Sequence, residues 1–294
     1  MRPTLLALPL ALVLAFPAGG FDWPLEKVVL TATFGESRGD HFHSGVDLGG
    51  GEQEVRPIAA GEVVFSYEEG EDRSSVPVGL GSFLVLEHQG RVRSIYGHLE
   101  AGSMPRAEKS FDGSKPLGRV GATGYSLGKH LHLVIIDSEM RSLINPLAVL
   151  PPVPDRQTPV IKELFLRSGR EPVAVKGGMG FRQGTTEVRA NLYDLREDVS
   201  YAWRMAPYRI SLYQDGREVA GLRLDGLHEK LKRDGTPELA LLESDRGFSE
   251  LFESEWLFRL GEVKLVPGQT TLSLFAADYA GNESSRDFPL TVTE

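Results

Sequence analysis

The sequence predicts an all-β protein with two domains. Short runs rich in β-branched and aromatic residues recur between turns of glycine, aspartate and serine, and residues 28–150 contain no amphipathic window long enough for a substantial helix. The 33 glycines and 18 prolines agree with many turns. A chain of 294 residues is long for one domain and sufficient for two.

The N-terminus has the pattern of a secretory signal. Arg2 precedes an apolar run over residues 5–16, and small residues follow at 18–20. This run is shorter than the ~20 apolar residues that span a bilayer. We therefore predict a signal peptide over residues 1–20, with an uncleaved anchor as the alternative. Its removal would leave an exported protein without a transmembrane span, which is periplasmic, associated with the cell envelope or secreted.

The first domain is predicted to be an all-β unit over residues 21–150. Its strand-like runs cover residues 55–67, 81–88, 90–99 and 130–137. Two polar segments, residues 68–79 and 100–115, are predicted to be exposed loops.

A proline-rich linker is predicted over residues 151–159, which contain four prolines. Strand signals resume in residues 160–294, where we expect an Ig-like β-sandwich with an insertion near 226–262 that holds one or two short helices. The sequence Asp278-Tyr-Ala-Gly-Asn282 is similar to bacterial Ig-like adhesive modules. This likeness predicts that the second domain binds the cell wall or a protein partner.

Charge and cysteine content exclude several classes of function. The net charge is −9 and both halves of the chain are mildly acidic, so neither has the basic surface of a nucleic-acid binder. The absence of cysteine excludes disulfides, thiolate nucleophiles and zinc sites built from cysteine.

Six of the seven histidines lie within residues 41–132, and this clustering indicates a site. His43 and Asp47 are four residues apart in a stretch with a glycine, so they can bend round one cation, and imidazole with carboxylate suits Zn²⁺. A surface turn is the alternative for this pair. His41 competes with His43 as a ligand, since the two are separated by one residue.

His130 and His132 are also separated by one residue, in a run that reads as a strand. Residues i and i+2 of a strand face the same side, so the two imidazoles would line a cleft, with an exposed edge strand as the alternative. His98 ends another strand-like run and is uninformative alone. His88 is expected to be a solvated turn residue and His228 a surface residue.

Three motifs together resemble the lysostaphin-type (LytM-like) zinc metalloendopeptidases. They are HSGVD at residues 43–47, YGHL at 96–99 and HLH at 130–132, which follows the turn GATGYSLGK. The family has H-x-x-x-D, a lone histidine after a tyrosine-containing strand, and H-x-H after a glycine-rich turn. The resemblance covers roughly residues 25–150 and implies an antiparallel β-sheet peptidase domain.

The resemblance implies a role for each matched residue. His43, Asp47 and His132 correspond to ligands of one Zn²⁺ per chain, and His41 is set aside because it has no aspartate four residues later. His98 and His130 correspond to catalytic histidines that do not bind the metal. Either could be the general base, and we expect His130 to take this role. Lys129 departs from the proline that commonly precedes H-x-H.

The function that follows is an exported zinc metalloendopeptidase, which hydrolyses peptide bonds of peptidoglycan cross-links through a zinc-activated water. The main alternative is a catalytically silent LytM-like module that binds and activates a cell-wall amidase. A third interpretation is a protease that acts on proteins outside the wall. The expected partners are peptidoglycan peptides, with no nucleic acid.

Overall fold

The structure is a computed structural model that describes residues 20–70, 78–168, 171–200 and 203–294. The predicted signal peptide, apart from its last residue, lies outside the described residues, as does most of the predicted loop 68–79. Within the described ranges, no helix has the length and apolar character needed to cross a membrane.

The predicted all-β class is confirmed, because β-strands form almost all of the regular structure. The first half has strands β1 Val29–Ala32, β2 Val46–Gly49, β3 Glu54–Val55, β4 Gly61–Tyr67, β5 Ser82–Glu87, β6 Val92–Leu99, β7 Ser110–Phe111, β8 Gly118–Arg119, β9 Leu131–Asp137 and β10 Ser142–Ile144. Short 3-10 helices lie at Gln89–Arg91 and Pro146–Ala148. The four strand-like runs thus contain β4, β5, β6 and β9, as expected.

The second half continues with strands and one four-residue helix. Its elements are β11 Val160–Ser168, β12 Glu171–Ala174, β13 Gly180–Arg182, β14 Gly184–Tyr193, β15 Arg209–Gln214, β16 Arg217–Arg223, β17 Gly226–Leu231, β18 Pro237–Leu241, α1 Phe248–Leu251, β19 Phe252–Ser254, β20 Leu257–Leu265, β21 Gly268–Ala277 and β22 Glu283–Thr293. Pairing is antiparallel in every sheet, apart from the parallel pair β13 and β22.

The main sheet has ten strands and places β9 at its centre. Its order is β18-β17-β10-β9-β6-β5-β4-β7, and β2 pairs with β9 while β1 pairs with β2. On one side β9 pairs with β6, and on the other its first half pairs with β2 and its second half with β10. His132 therefore lies between Asp47 on β2 and Gly97 on β6.

The C-terminal half contributes two strands to this sheet. The β17–β18 hairpin pairs with β10, where Leu227 lies opposite Leu143. Leu227, Ala240 and Leu241 are buried, so the hairpin adds apolar surface to the core. The predicted insertion 226–262 was expected to hold one or two short helices, and its described residues contain one, α1, among strands β17 to β20. Pairing across more than 80 residues overrides the weak local preferences of this segment.

The remaining C-terminal strands form two five-stranded sheets. One has the order β12-β11-β14-β20-β19 and the other β13-β22-β21-β15-β16. Strand β11 contacts β21 and β22, so the sheets pack face to face, and alternate leucines and valines of both are buried. The Ig-like character of this sandwich and the predicted domain boundaries stay predictions.

Candidate metal centre

Neighbouring strands bring three predicted ligands together. Asp47 lies on β2 directly opposite His132 on β9, and His43 lies in the loop that enters β2. Gly45 makes this loop possible, since a Cβ there would be 2.2 Å from the carbonyl oxygen of Leu133. The glycine therefore lets the loop cross closely over β9, so that His43 and Asp47 approach His132.

The ligand atoms form a compact triangle. His43 Nε2 lies 3.0 Å from Asp47 Oδ1 and 3.1 Å from His132 Nδ1, and His132 Nδ1 lies 2.8 Å from Asp47 Oδ1. All three residues are between 5% and 7% exposed. Tetrahedral Zn²⁺ with bonds of about 2.0–2.1 Å places its ligand atoms roughly 3.3 Å apart. The donor set of two imidazoles and one carboxylate also suits zinc, so the residues fit this metal.

Hydrogen bonding orients the ligand atoms in a way that suits a cation between them. His43 Nδ1 donates to the carbonyl oxygen of Thr33 at 2.8 Å, so the neutral ring carries a lone pair on Nε2. That lone pair faces the acceptor oxygen of Asp47. Burial lowers the pKa of His132, which favours its neutral form. Although burial acts against it, the adjoining imidazoles of His43 and His132 hold the pKa of Asp47 well below its usual range.

Arg38 and Glu36 support the aspartate, and the sequence analysis missed both. Arg38 Nη2 lies 2.5 Å from Asp47 Oδ2 and 3.6 Å from Glu36 Oε1. Arg38 thereby holds one oxygen of Asp47 and leaves the other toward the two histidines. Burial raises the pKa of Glu36 to about 7. The sequence signal that could have revealed them is the presence of Glu36 and Arg38 shortly before the H-x-x-x-D motif.

His98 and His130 lie beside the triangle. Their ring centroids are 4.7 Å apart, and the His98 ring is 5.9 Å from that of His132. His130 Nε2 lies 3.7 Å from Asp47 Oδ1. His98 has φ +59°, an uncommon conformation for a non-glycine residue that often marks a functional site. Sequence reasoning thus selected five residues that the structure brings into one cluster.

Backbone carbonyls fix the tautomer of both rings. His98 Nδ1 donates to the carbonyl oxygen of Thr123 at 2.8 Å, and His130 Nδ1 donates to that of Gly128 at 2.9 Å. Each neutral ring therefore has its lone pair on Nε2. Burial lowers the pKa of His98 to about 4, so this ring is neutral near pH 7.

The other histidines lie outside the cluster. His41 has a side chain that is 68% exposed and contacts Asp40. The expectation for His88 was wrong, because this residue is buried and bonds to the Ala60 carbonyl and the Ser94 hydroxyl. His228 lies on β17, partly exposed, with Nε2 3.1 Å from Asp245.

Comparisons with known proteins agree with this architecture. Residues 41–146 match the model of Peptidase family M23, and a second family model matches residues 158–293. The DD-carboxypeptidase/endopeptidase Mpg of Neisseria meningitidis serogroup B is 32% identical over 145 residues, which cover 47% of this chain and 31% of that protein. Mpg of Neisseria gonorrhoeae is 31% identical over 145 residues, which again cover 47% of this chain and 31% of that protein. The chain thus spans about a third of the length of these relatives.

The solved structures to which this chain is similar include two catalytic domains. The catalytic domain of lysostaphin from Staphylococcus simulans is 23% identical, with a TM-score of 0.28, over 36% of this chain and 82% of that chain. The catalytic domain of EnpA from Enterococcus faecalis is 21% identical, with a TM-score of 0.32. The match covers 38% of this chain and 83% of the EnpA chain.

The all-β sheet and the family match define the class of the first domain. Residues 41–146 match Peptidase family M23, in agreement with the resemblance that the three histidine motifs carry, and residues 158–293 match a second family model.

Proposed function

We propose that this protein is a zinc-dependent endopeptidase that hydrolyses peptide bonds of peptidoglycan. The observation that carries the proposal is the convergence of His43, Asp47 and His132 within 3.1 Å, with two further histidines beside them. The family M23 match and the Mpg relatives support the same activity.

His43, Asp47 and His132 would hold the metal through Nε2, one carboxylate oxygen and Nδ1, respectively. When bound, zinc supplies a Lewis acid that polarises a carbonyl and lowers the pKa of water. Three protein ligands of a four-coordinate ion leave one position open, which is typical of catalytic sites. Arg38 keeps the carboxylate oriented, and the Thr33 carbonyl keeps the proton of His43 on Nδ1.

We assign the role of general base to His130. Its Nε2 carries the lone pair, and its side chain is more exposed than those of the ligands, so it can accept a proton from water. Burial makes His98 a weak base, since its pKa is lowered to about 4. His98 can donate a hydrogen bond from Nε2 to a developing oxyanion only after it gains a proton, because its Nδ1 proton is held by Thr123.

The name of the Mpg relatives suggests which bond is cleaved. Mpg is a DD-carboxypeptidase/endopeptidase, so we propose that this chain cleaves a bond between two D-configured centres of a cross-link. We further propose that the chain is exported after removal of residues 1–20. The amino terminus of the mature protein, read by sequencing, should then lie near residues 19–21, and an intact Met1 on the exported protein would contradict cleavage.

Mass analysis of muropeptides tests the activity and the bond together. Purified residues 21–294 loaded with zinc should release new amino termini from isolated sacculi, and a chelator should abolish the release. His130→Ala should lose this release, whereas His41→Ala is a matched control outside the cluster and should retain it. Intact sacculi together with stimulation of an added amidase would favour the silent module and contradict the peptidase.

A further inference from the structure

A second group of acidic residues lies away from the histidines, where the linker meets the C-terminal sandwich. Asp155 belongs to the proline-rich segment, Asp194 directly follows β14, and Asp278 directly follows β21. One carboxylate oxygen of each lies within 4.8 Å of the other two. The side chain of Asp155 is 2% exposed, and Asp194 and Asp278 are 4% and 5% exposed.

Two of the three carboxylates each accept a backbone and a side-chain hydrogen bond. Asp155 accepts from Gln157 N at 3.1 Å and from Arg196 Nη1 at 3.2 Å. Asp278 accepts from Asn282 N at 2.8 Å and from Asn282 Nδ2 at 2.7 Å.

Asp194 differs from them in one oxygen. The backbone of Leu195 hydrogen-bonds to its carboxyl group, but its Oδ1 is fully buried and has no hydrogen-bond partner among the described residues. A buried carboxylate oxygen without a partner is costly, so this atom needs a ligand.

The charges of the cluster do not balance. When all three carboxyl groups are ionised they carry three negative charges, and Arg196 supplies one positive charge, which it shares with Asp198. A divalent cation would neutralise the remainder. Burial, with the charges of Asp278 and Asp155, raises the pKa of Asp194 to about 8, so a proton is the competing means of neutralisation.

We propose that Asp155, Asp194 and Asp278 bind a calcium ion. The donors are all oxygens, which suit a hard cation, and their spacing is compatible with Ca²⁺–O bonds of about 2.3–2.6 Å. A cavity of about 340 Å³ is lined by all three aspartates. It has room for the waters that complete six to eight oxygen ligands.

The position of the ion would tie three segments together. Asp194 ends a strand of one sandwich sheet, Asp278 ends a strand of the other, and Asp155 lies on the linker from the peptidase domain. Phe34 and Asn145 of the first domain line the same cavity. Calcium would therefore fix the linker on the sandwich and stabilise the junction, independently of the proposed zinc centre.

Calorimetric titration and thermal unfolding of the zinc-loaded mature chain test this site. We expect about one Ca²⁺ per chain, and a thermal midpoint that rises by about 3–6 °C at calcium near ten times its dissociation constant. Asp194→Asn should abolish both effects. It should also raise the midpoint in calcium-free buffer, because folding then no longer requires a carboxylate to be protonated or buried with its charge. The exposed Asp287→Asn is the matched control and should respond as the wild type does.

The outcomes separate this site from the zinc centre. His132→Ala should lose zinc but keep the response to calcium. No heat and no shift of the wild-type midpoint at 10 mM calcium would overturn the proposal, and would leave a protonated Asp194 as the explanation of the cluster. An equal calcium response in Asp194→Asn would overturn it as well.

Discussion

Phe42 packs edge-on against Phe252, with ring centroids 5.9 Å apart. Phe42 precedes the predicted ligand His43, and Phe252 belongs to the C-terminal half of the chain. Phe248 of α1 also contacts Phe42 at 5.4 Å, and Thr33, whose carbonyl orients His43, bonds to the Ala206 carbonyl at 3.2 Å. The C-terminal half therefore supports the loop that carries His43 of the candidate metal centre, beyond any role in binding a partner.

Replacing Phe252 tests this coupling. Phe252→Ala should lower the free energy of unfolding by about 3–5 kcal/mol, because it opens a cavity behind the loop. It should also weaken zinc binding, since His43 loses its support. Urea unfolding and titration against a chromophoric chelator measure the two effects.

Phe275→Ala is the control for Phe252→Ala, because Phe275 is 43% exposed and lies on β21, away from the loop. It should lower the free energy of unfolding by less than about 1 kcal/mol and leave the zinc affinity unchanged. Wild-type zinc affinity in Phe252→Ala would contradict the coupling.

Arg38 is predicted to position Asp47 for the metal. Arg38→Ala should weaken zinc binding by about 10- to 100-fold, the usual effect of removing a partner of a ligand. Arg38→Lys should restore part of the affinity, because it keeps the charge but not the planar geometry. Unchanged or tighter zinc binding in Arg38→Ala would contradict this role. It would mean that the repulsion between the Arg38 charge and zinc outweighs the positioning of Asp47.

The assigned roles of His132 and His130 differ in their metal dependence. His132→Ala should lose bound zinc and peptide hydrolysis together, as measured by metal analysis and a soluble peptide assay. His130→Ala should retain about one zinc per chain while hydrolysis falls by roughly 10²–10⁴-fold, the usual contribution of a general base. Loss of zinc in His130→Ala would contradict this division of roles.

His88 predicts an acid-dependent loss of stability. Burial lowers its pKa below 6.5 in the folded protein, so below pH 6.5 the unfolded chain binds more protons than the folded chain. The contribution of His88 to the free energy of unfolding is complete above pH 6.5. It is lost as the pH falls toward the pKa of His88 in the folded protein.

The difference in the free energy of unfolding between wild type and His88→Gln isolates this contribution from that of other groups. Measured by urea titration between pH 7 and 5, the advantage of the wild type should shrink as the pH falls. A difference that stays constant over this range would refute the role given to His88.

Local sequence patterns predicted several strands of the fold and some of the site residues. Alternating and apolar runs predicted β4, β5, β6 and β9, because a strand preference is visible within a few residues. The spacing of His43 to Asp47 suits a cation, the spacing of His130 to His132 indicates a cleft, and the resemblance of the three motifs joins them in one metal site. His88 was misjudged, since a neighbouring glycine suggests a turn but does not reveal a buried partner such as Ser94.

The sequence by itself determined the all-β class, because strand and turn preferences are local properties. Its three motifs, through their resemblance to the lysostaphin-type family, also selected the five residues of the candidate centre. Tertiary structure decided what distant segments do together. It placed β17 and β18 beside β10, Arg38 on Asp47, and Asp155, Asp194 and Asp278 around one cavity. The physical reason is that long-range pairing and burial depend on contacts between residues far apart in the chain, which no local pattern encodes.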